Sequence, residues 1–372
     1  MKFVLFGLTV SSSWGNGHAT LWRGLIGALA SRGHEVVFFE RDQPFYALHR
    51  DLNDLPGARL VLYPDWAAVR ERAAAEVAGA DVAMVTSYCP DGPQASELIC
   101  ETAPGITAFY DMDTPVTLAA LDAGERVGYL PPHGLGDFDL VLSFTGGEAL
   151  DLLRTRLGAR RAAPLYGHVD PAVHRPARPA EAFRGDVSYI GTYAADRQAA
   201  VQALFVEPAR QRPDMRFVLA GTGYAADFPW TDNIFFVKHL PPGDHPAFYA
   251  SSRLTLNATR GAMAAMGWCP SGRLFEAAAC GVPILTDSWA GLDDFFRPGE
   301  EILTACTTGQ ALDALDMAPA DLAAIARAAR ARVLDEHSSD RRADDLLAIL
   351  HGARCGSARA DATHADAMVR EA

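Results

Sequence analysis

Lysine is almost missing from this chain of 372 residues, where Lys2 and Lys238 are the only two. Any anion bound here must be met by arginine or by backbone N–H groups. There is no run rich in Lys and Arg, and the formal net charge is -13. Neither a nucleic-acid surface nor a membrane-surface patch is expected. No apolar run approaches the ~20 residues of a membrane-spanning helix. The six cysteines, Cys89, Cys100, Cys269, Cys280, Cys306 and Cys355, form no C-x-x-C pair and no metal spacing, which reads as unpaired thiols in a reducing, cytoplasmic compartment. A pyrophosphate-binding G-x-G-x-x-G is also absent, which removes the main support for a dinucleotide-dependent dehydrogenase.

What is present is a regular alternation of strands and helices. The length suffices for two ordinary domains, and the 49% hydrophobic share for large cores. Met1 to Leu8 has the look of a short signal peptide, but fits better as a first buried strand because a turn and an amphipathic helix follow at once. Strands are expected at 2–7, 35–40, 59–63, 81–86, 106–110 and 140–144, with helices at 18–31, 66–77, 94–100 and 147–157. A Pro/Arg-rich stretch, His174 to Pro179, reads as a linker. A second series has strands at 187–190, 216–220, 234–238, 254–257 and 282–286, and helices at 196–205, 245–250, 272–280 and 321–335. The pattern predicts an α/β protein of two doubly wound, Rossmann-like domains facing a cleft, residues 1–172 and 180–336. A closing helix at 337–352 and a loosely ordered tail at 353–372 complete it. Chemistry belongs in the loops at the carboxyl ends of the strands.

Four segments stand there. Gly15, Asn16, Gly17 and His18 join the first strand to the first helix; glycines admit close backbone approach, and an imidazole at a helix start can serve as base. The segment is equally a tight turn with a capped histidine. Asp111 and Asp113 follow a later strand. They suit acid/base work or a sugar hydroxyl, and as D-x-D could bind a metal, whereas as structure Asp113 or Thr114 would cap a helix beginning at Pro115. Gly191, Thr192, Tyr193 and Arg197 open the second domain, with Arg197 opposing a helix dipole unless it meets a phosphate. Finally come Asn257 and Arg260, then Ser271, Gly272, Arg273 and Glu276. A Ser N-cap, two helix-start amides and two arginines suit a diphosphate, and Glu276 one turn in can accept both hydroxyls of a ribose.

The run from Arg273 through Leu274-Phe275-Glu276-Ala277 to Gly281-Val282-Pro283 resembles the "(L/F)EA-(M/A)-A-x-G-x-P" stretch of glycosyltransferase family 4 and its group 1 relatives. With Ser12 to Thr20, Phe39-Glu40-Arg41-Asp42, Tyr110 to Pro115, Tyr189 to Tyr193 and Trp289 to Asp293, the chain resembles the CgeB-like (spore maturation type) glycosyltransferases over roughly residues 1 to 345. The resemblance implies a GT-B fold, with a nucleotide-sugar donor held mainly by the second domain and an acceptor by the first. It makes Glu276 the ribose-binding glutamate. The partner glutamate eight positions earlier would fall at Trp268 and is missing. The histidine that family 4 tends to place after its fourth N-domain strand is replaced by Tyr110-Asp111. The expected activity is glycosyl transfer from a nucleotide sugar without cofactor or metal ion. Two alternatives are a nucleotide-sugar epimerase on the same fold and a non-catalytic GT-B sugar- or nucleotide-binding partner. The acceptor, the donor sugar, the stereochemistry and the oligomeric state are not legible.

Overall fold

The computed structural model of the protein describes the backbone of residues 1–370 and the side chains of residues 1–354. Its first sheet holds seven parallel strands: β1 (Lys2–Gly7), β2 (Glu35–Arg41), β3 (Arg59–Tyr63), β4 (Val82–Thr86), β5 (Ile106–Asp111), β6 (Leu140–Ser143) and β7 (Ala162–Pro164), in the order β3-β2-β1-β4-β5-β6-β7. The second holds β8 (Gly185–Ile190), β9 (Phe217–Gly221), β10 (Ile234–Lys238), β11 (Ser252–Asn257), β12 (Ile284–Thr286) and β13 (Leu303–Thr304), ordered β10-β9-β8-β11-β12-β13. In both sheets the order reverses beside the first strand, between β1 and β4 and between β8 and β11.

Both faces of each sheet are covered over its central strands, which are therefore apolar throughout rather than alternating, while the edge strands β3 and β10 keep exposed residues. In β1, Phe3 and Leu5 join one core cluster and Val4 and Phe6 the other. Val218 and Ala220 of β9 face one side of the second sheet, Phe217 and Leu219 the opposite side.

Several elements depart from the sequence reading. Instead of ending near residue 205, helical structure runs from Ala195 to Gln211 through a π turn at Gln202–Val206. Pro208 lacks the N–H for a regular helical bond, and the wider turn just before it re-registers the ladder. The short edge strands β7 and β13, and the helices Gly261–Met266 and Thr308–Asp316, carry too little periodicity to be read from sequence. The last helix spans Ser339–Arg370. The stretch from residue 353 has no proline and is rich in alanine, so nothing in its sequence stops the helix. Residues 371 and 372 lie outside the described residues.

This last helix leaves the second domain and packs on the first. Ala343, Leu346, Leu350 and Ala353 enter the core cluster that contains Trp22, Leu25 and Leu29 of the first helix, His18–Ser31. Arg32 fastens it outside through Asp340 (2.6 Å) and Asp344 (2.9 Å). A second seam joins the domains where the Gly146 amide donates to the Trp268 carbonyl (3.0 Å) and the Thr145 hydroxyl to the Cys269 sulfur (3.0 Å).

Candidate active site

The carboxyl ends of the two sheets face each other across a cleft of about 530 Å³. Both topological switch points open into it, as expected for doubly wound sheets. Of the residues singled out above, Gly15, Asn16, Gly17, His18, Asp113, Gly191, Thr192, Tyr193, Arg197, Arg260, Ser271, Gly272, Arg273 and Glu276 all line it.

The first-domain wall is built on a pinned loop. Glu40, at the end of β2 and only 1% exposed, accepts from the Thr9 hydroxyl (2.9 Å), the Val10 amide (2.7 Å) and the Ser11 amide (2.9 Å). Asp51 takes the Ser13 amide and hydroxyl and pairs with Arg23 at 2.6 Å. Gly15 adopts a φ of 69°, which favours glycine. The Asn16 carbonyl oxygen accepts from the Ala19 amide (3.2 Å), and its NH2 donates to Ser12 and Trp14. Asn16 thus spends its polar atoms on the loop. His18, the first residue of the helix, sets Nε2 2.9 Å from Asp113 Oδ2. Its Nδ1 is buried without a partner. Asp113 occupies the N-cap of the helix Thr114–Asp122 but makes no capping bond; its carboxylate faces His18 and the Ser87 hydroxyl (3.4 Å) instead.

Asp111 does not line the cleft. It ends β5 fully buried, and its Oδ1 accepts the Asp113 amide at 3.0 Å while Oδ2 has no partner. Burial, aided by the nearby Asp113 charge, pushes its carboxyl up to about 7, against the pull of the Asp113 amide bond. The reading of Asp111 as a group facing the reaction is corrected to a support beneath Asp113. Asn257 is likewise behind the wall. Its amide donates to Thr286 (2.9 Å) and Thr259 (3.4 Å), tying β11 to β12 rather than facing a ligand.

The second-domain wall is cationic. Arg197 is 7% exposed and donates to the Thr192 carbonyl. Arg273 donates to the Ile190 carbonyl (2.9 Å) and the Ser271 hydroxyl (3.2 Å). Neither guanidinium has a carboxylate partner among the described residues, and burial, then the proximity of Arg273, lowers the Arg197 pKa. Two unpaired, partly buried like charges create a demand for an anion. Gly191 lets them approach: a Cβ there would come 2.9 Å from Arg273 Nη1. Ser271 stands at the N-cap of Gly272–Cys280 without capping it, so the first amides of this helix remain open toward the cleft. Arg260 differs, being paired with Asp196 at 3.2 Å.

Glu276 lies one turn further in, its side chain 13% exposed. Burial alone would raise its carboxyl; His174, His245 and Arg273 outweigh that and hold it at about 2. Its oxygens stand 3.9 Å from His174 Nε2 and 3.7 Å from His245 Nδ1, beyond hydrogen-bond reach, and neither oxygen makes a hydrogen bond among the described residues. The two imidazoles are 3.3 Å apart, and His245 Nε2 reaches the Leu240 carbonyl at 3.3 Å. These three ligand atoms lie within 4.8 Å of one another and could hold a divalent cation. The sequence reading found no such cluster, because His174 stands in the apparent linker and His245 at an ordinary helix start.

Sequence reasoning also passed over Tyr88 and His239, and gave Trp14, which lies in the first glycine-rich segment, no role of its own. Tyr88 and His239 carry positive φ, 61° and 55°. Trp14 stacks on His49 and lies tilted against His239, 3.9 Å from each, and so joins the two domains. Backbone strain and stacking across a cleft leave no trace in a one-dimensional pattern. Trp268, in the place of the missing glutamate, is not a cleft residue. Its φ is 42°, its indole donates to Asp294 (2.6 Å), and it fills the seam against Gly147 and Gly291.

Comparison with known proteins agrees with this architecture. A family model described as glycosyl transferase-like matches residues 197–348. No curated protein sequence matches the chain. Among solved structures, sucrose-phosphate synthase from Thermosynechococcus elongatus superposes with a TM-score of 0.68 at 14% identity, covering 95% of this chain and 99% of that one. HepE from Anabaena, solved with UDP and glucose, gives 0.65 at 14% identity, covering 95% and 100%. AviGT4, a glycosyltransferase involved in avilamycin A biosynthesis, gives 0.60 at 16% identity, covering 95% and 98%. The chain therefore has the GT-B fold.

Proposed function

We propose that the protein is a glycosyltransferase that moves a sugar from a nucleoside-diphosphate donor to a hydroxyl acceptor, with CgeB-like enzymes as its nearer kin. The observation that carries this reading is the second-domain wall: two unpaired arginines beside an open helix start, one turn from a carboxylate with both oxygens free. A diphosphate would relieve the first and a ribose diol would satisfy the second. Tyr193, 41% exposed at the rim, offers an aromatic face for the base. The glycosyl transferase-like match and the UDP-bound relative support the same reading.

In the reaction, the acceptor oxygen bonds to the anomeric carbon and its proton passes to the His18–Asp113 pair. The bond from that carbon to the diphosphate breaks, and its electron pair leaves on the nucleoside diphosphate. Arg197, Arg273 and the helix amides stabilise the charge that develops there. Asp113 holds the proton on His18 Nε2 and steadies the imidazolium. No metal ion is needed in this scheme, since fixed cations meet the diphosphate. The free thiols of Cys89, Cys100, Cys269, Cys280 and Cys306 fit a cytoplasmic setting, and no described helix is long and apolar enough to cross a membrane.

Calorimetry against UDP, GDP and dTDP in excess EDTA tests the proposal. One of them should bind, and Glu276→Ala should weaken it by about 1–3 kcal/mol, the worth of a charge-assisted hydrogen-bond pair. Binding that vanishes in EDTA and returns with Zn²⁺ would reassign Glu276, His174 and His245 to a metal site.

A further inference from the structure

We propose that the first-domain wall is a subsite for an uncharged acceptor, a ring compound that lies on Tyr88 and turns one hydroxyl toward His18. This rests on the transferase reading for the fate of that hydroxyl, but the recognition itself is argued from the wall alone.

Tyr88 stands two residues past the end of β4, at the switch point. A bulky residue with a φ of 61° is strained, and such strain persists only where surrounding structure enforces it. What the strain achieves is display. The ring is 39% exposed on the cleft wall. It is backed by Tyr129 at 4.9 Å and meets the His18 ring edge-on at 5.9 Å. An aromatic face beside an imidazole suits an apolar ring face whose substituent points at that imidazole.

The charges decide the class of compound. The three arginines lining the cleft, Arg197, Arg260 and Arg273, all belong to the second domain. Among the described residues the first-domain wall has no Lys or Arg. The nearby arginines are tied elsewhere, Arg23 to Asp51 and Arg50 to Asp42. Arg260, reaching across, is paired with Asp196. The fixed charge on this wall is the Asp113 carboxylate, bonded to His18. A phosphorylated or carboxylated acceptor would meet that anion with no free counter-charge on this wall. A neutral hydroxyl brings no charge to offset and can hydrogen-bond the His18–Asp113 pair, which lines the cleft beside Tyr88.

The probes are phenyl β-glucopyranoside and its 6-phosphate, titrated by saturation-transfer NMR with and without UDP. The neutral glycoside should bind at least ten-fold more tightly than the phosphate. Tyr88→Gly removes the ring while suiting the backbone, so the variant should fold; it should lose at least ten-fold of the glycoside affinity and keep its affinity for UDP. Tyr88→Phe should retain the glycoside, and Tyr88→Arg should shift preference toward the phosphate. Equal or tighter binding of the phosphate, no binding of either probe, or an unaffected Tyr88→Gly would each overturn the proposal. Failure of UDP to bind, with the glycoside preference intact, would overturn the donor reading and leave the acceptor proposal standing.

Discussion

At the scale of single residues, the cleft is organised by what its polar groups leave undone. His18 spends one nitrogen on Asp113 and keeps the other free. Asp111, neutral over part of the physiological range because burial pushes it up to about 7, holds the Asp113 amide and so fixes the turn on which the dyad depends. A His18→Ala variant should lower turnover by about 10² or more and leave donor affinity nearly intact, the signature of a group acting only on the reacting atoms. Stopped-flow or coupled assays beside calorimetry would show this; turnover within a few-fold of the parent would make the histidine structural. His18 was legible because glycines and a helix start surround it. His174 was not: nothing local marks a histidine among prolines and arginines as the neighbour of Glu276, a hundred residues on.

Elements matter here through what they carry across the molecule. The loop after β1 owes its shape to Glu40 on β2 and to Asp51 beyond it, so its glycines serve a fixed cradle rather than a flexible lid. The final helix, which starts in the second domain, completes the core of the first with Leu346 and Leu350. Leu350 is fully buried. Leu350→Ala should therefore cost about 2–5 kcal/mol of stability, read as a lower denaturant midpoint, although the residue lies far in sequence from the core it fills. A loss below about 0.5 kcal/mol would mean that the helix rests on the first domain without sealing it. Its periodicity was visible in the sequence, but its destination was not, since an apolar stripe does not say which sheet it will meet.

For the whole molecule, the seam between domains should make stability depend on pH. His168 bonds to Ser339, and His337 lies tilted against Phe275 at 4.7 Å. Burial, together with the Arg342 charge, lowers both imidazoles to about 3. Both are neutral in the fold, while the unfolded chain takes up protons below about pH 6.5. Stability is then fully present above that value and falls as pH drops toward 3, by up to about 1.4 kcal/mol per unit for each imidazole. Asp111 works the other way between about pH 4 and 7, because its raised carboxyl favours the fold as pH falls, and it offsets about one of the two. Urea midpoints should accordingly decline from pH 7 to 5, and His168→Asn should flatten the decline. A midpoint constant or rising over that range would show that water reaches these rings.

The sequence by itself determined the two parallel sheets, because strands buried on both faces must be apolar throughout and the helices between them must carry an apolar stripe. It also determined most of the cleft lining, since ligands gather at the carboxyl ends of such strands and the Gly-, Ser- and Arg-rich segments stood there. Only the tertiary structure decided which of these groups face the cleft. Whether an aspartate two residues from another points outward or down, as Asp113 and Asp111 do, depends on the pleat and on the turn that ends β5. Partnerships between distant segments, such as Glu276 with His174 from the linker or Trp14 with His239 from the other domain, arise only when the chain has folded, and no periodicity along it encodes that distance.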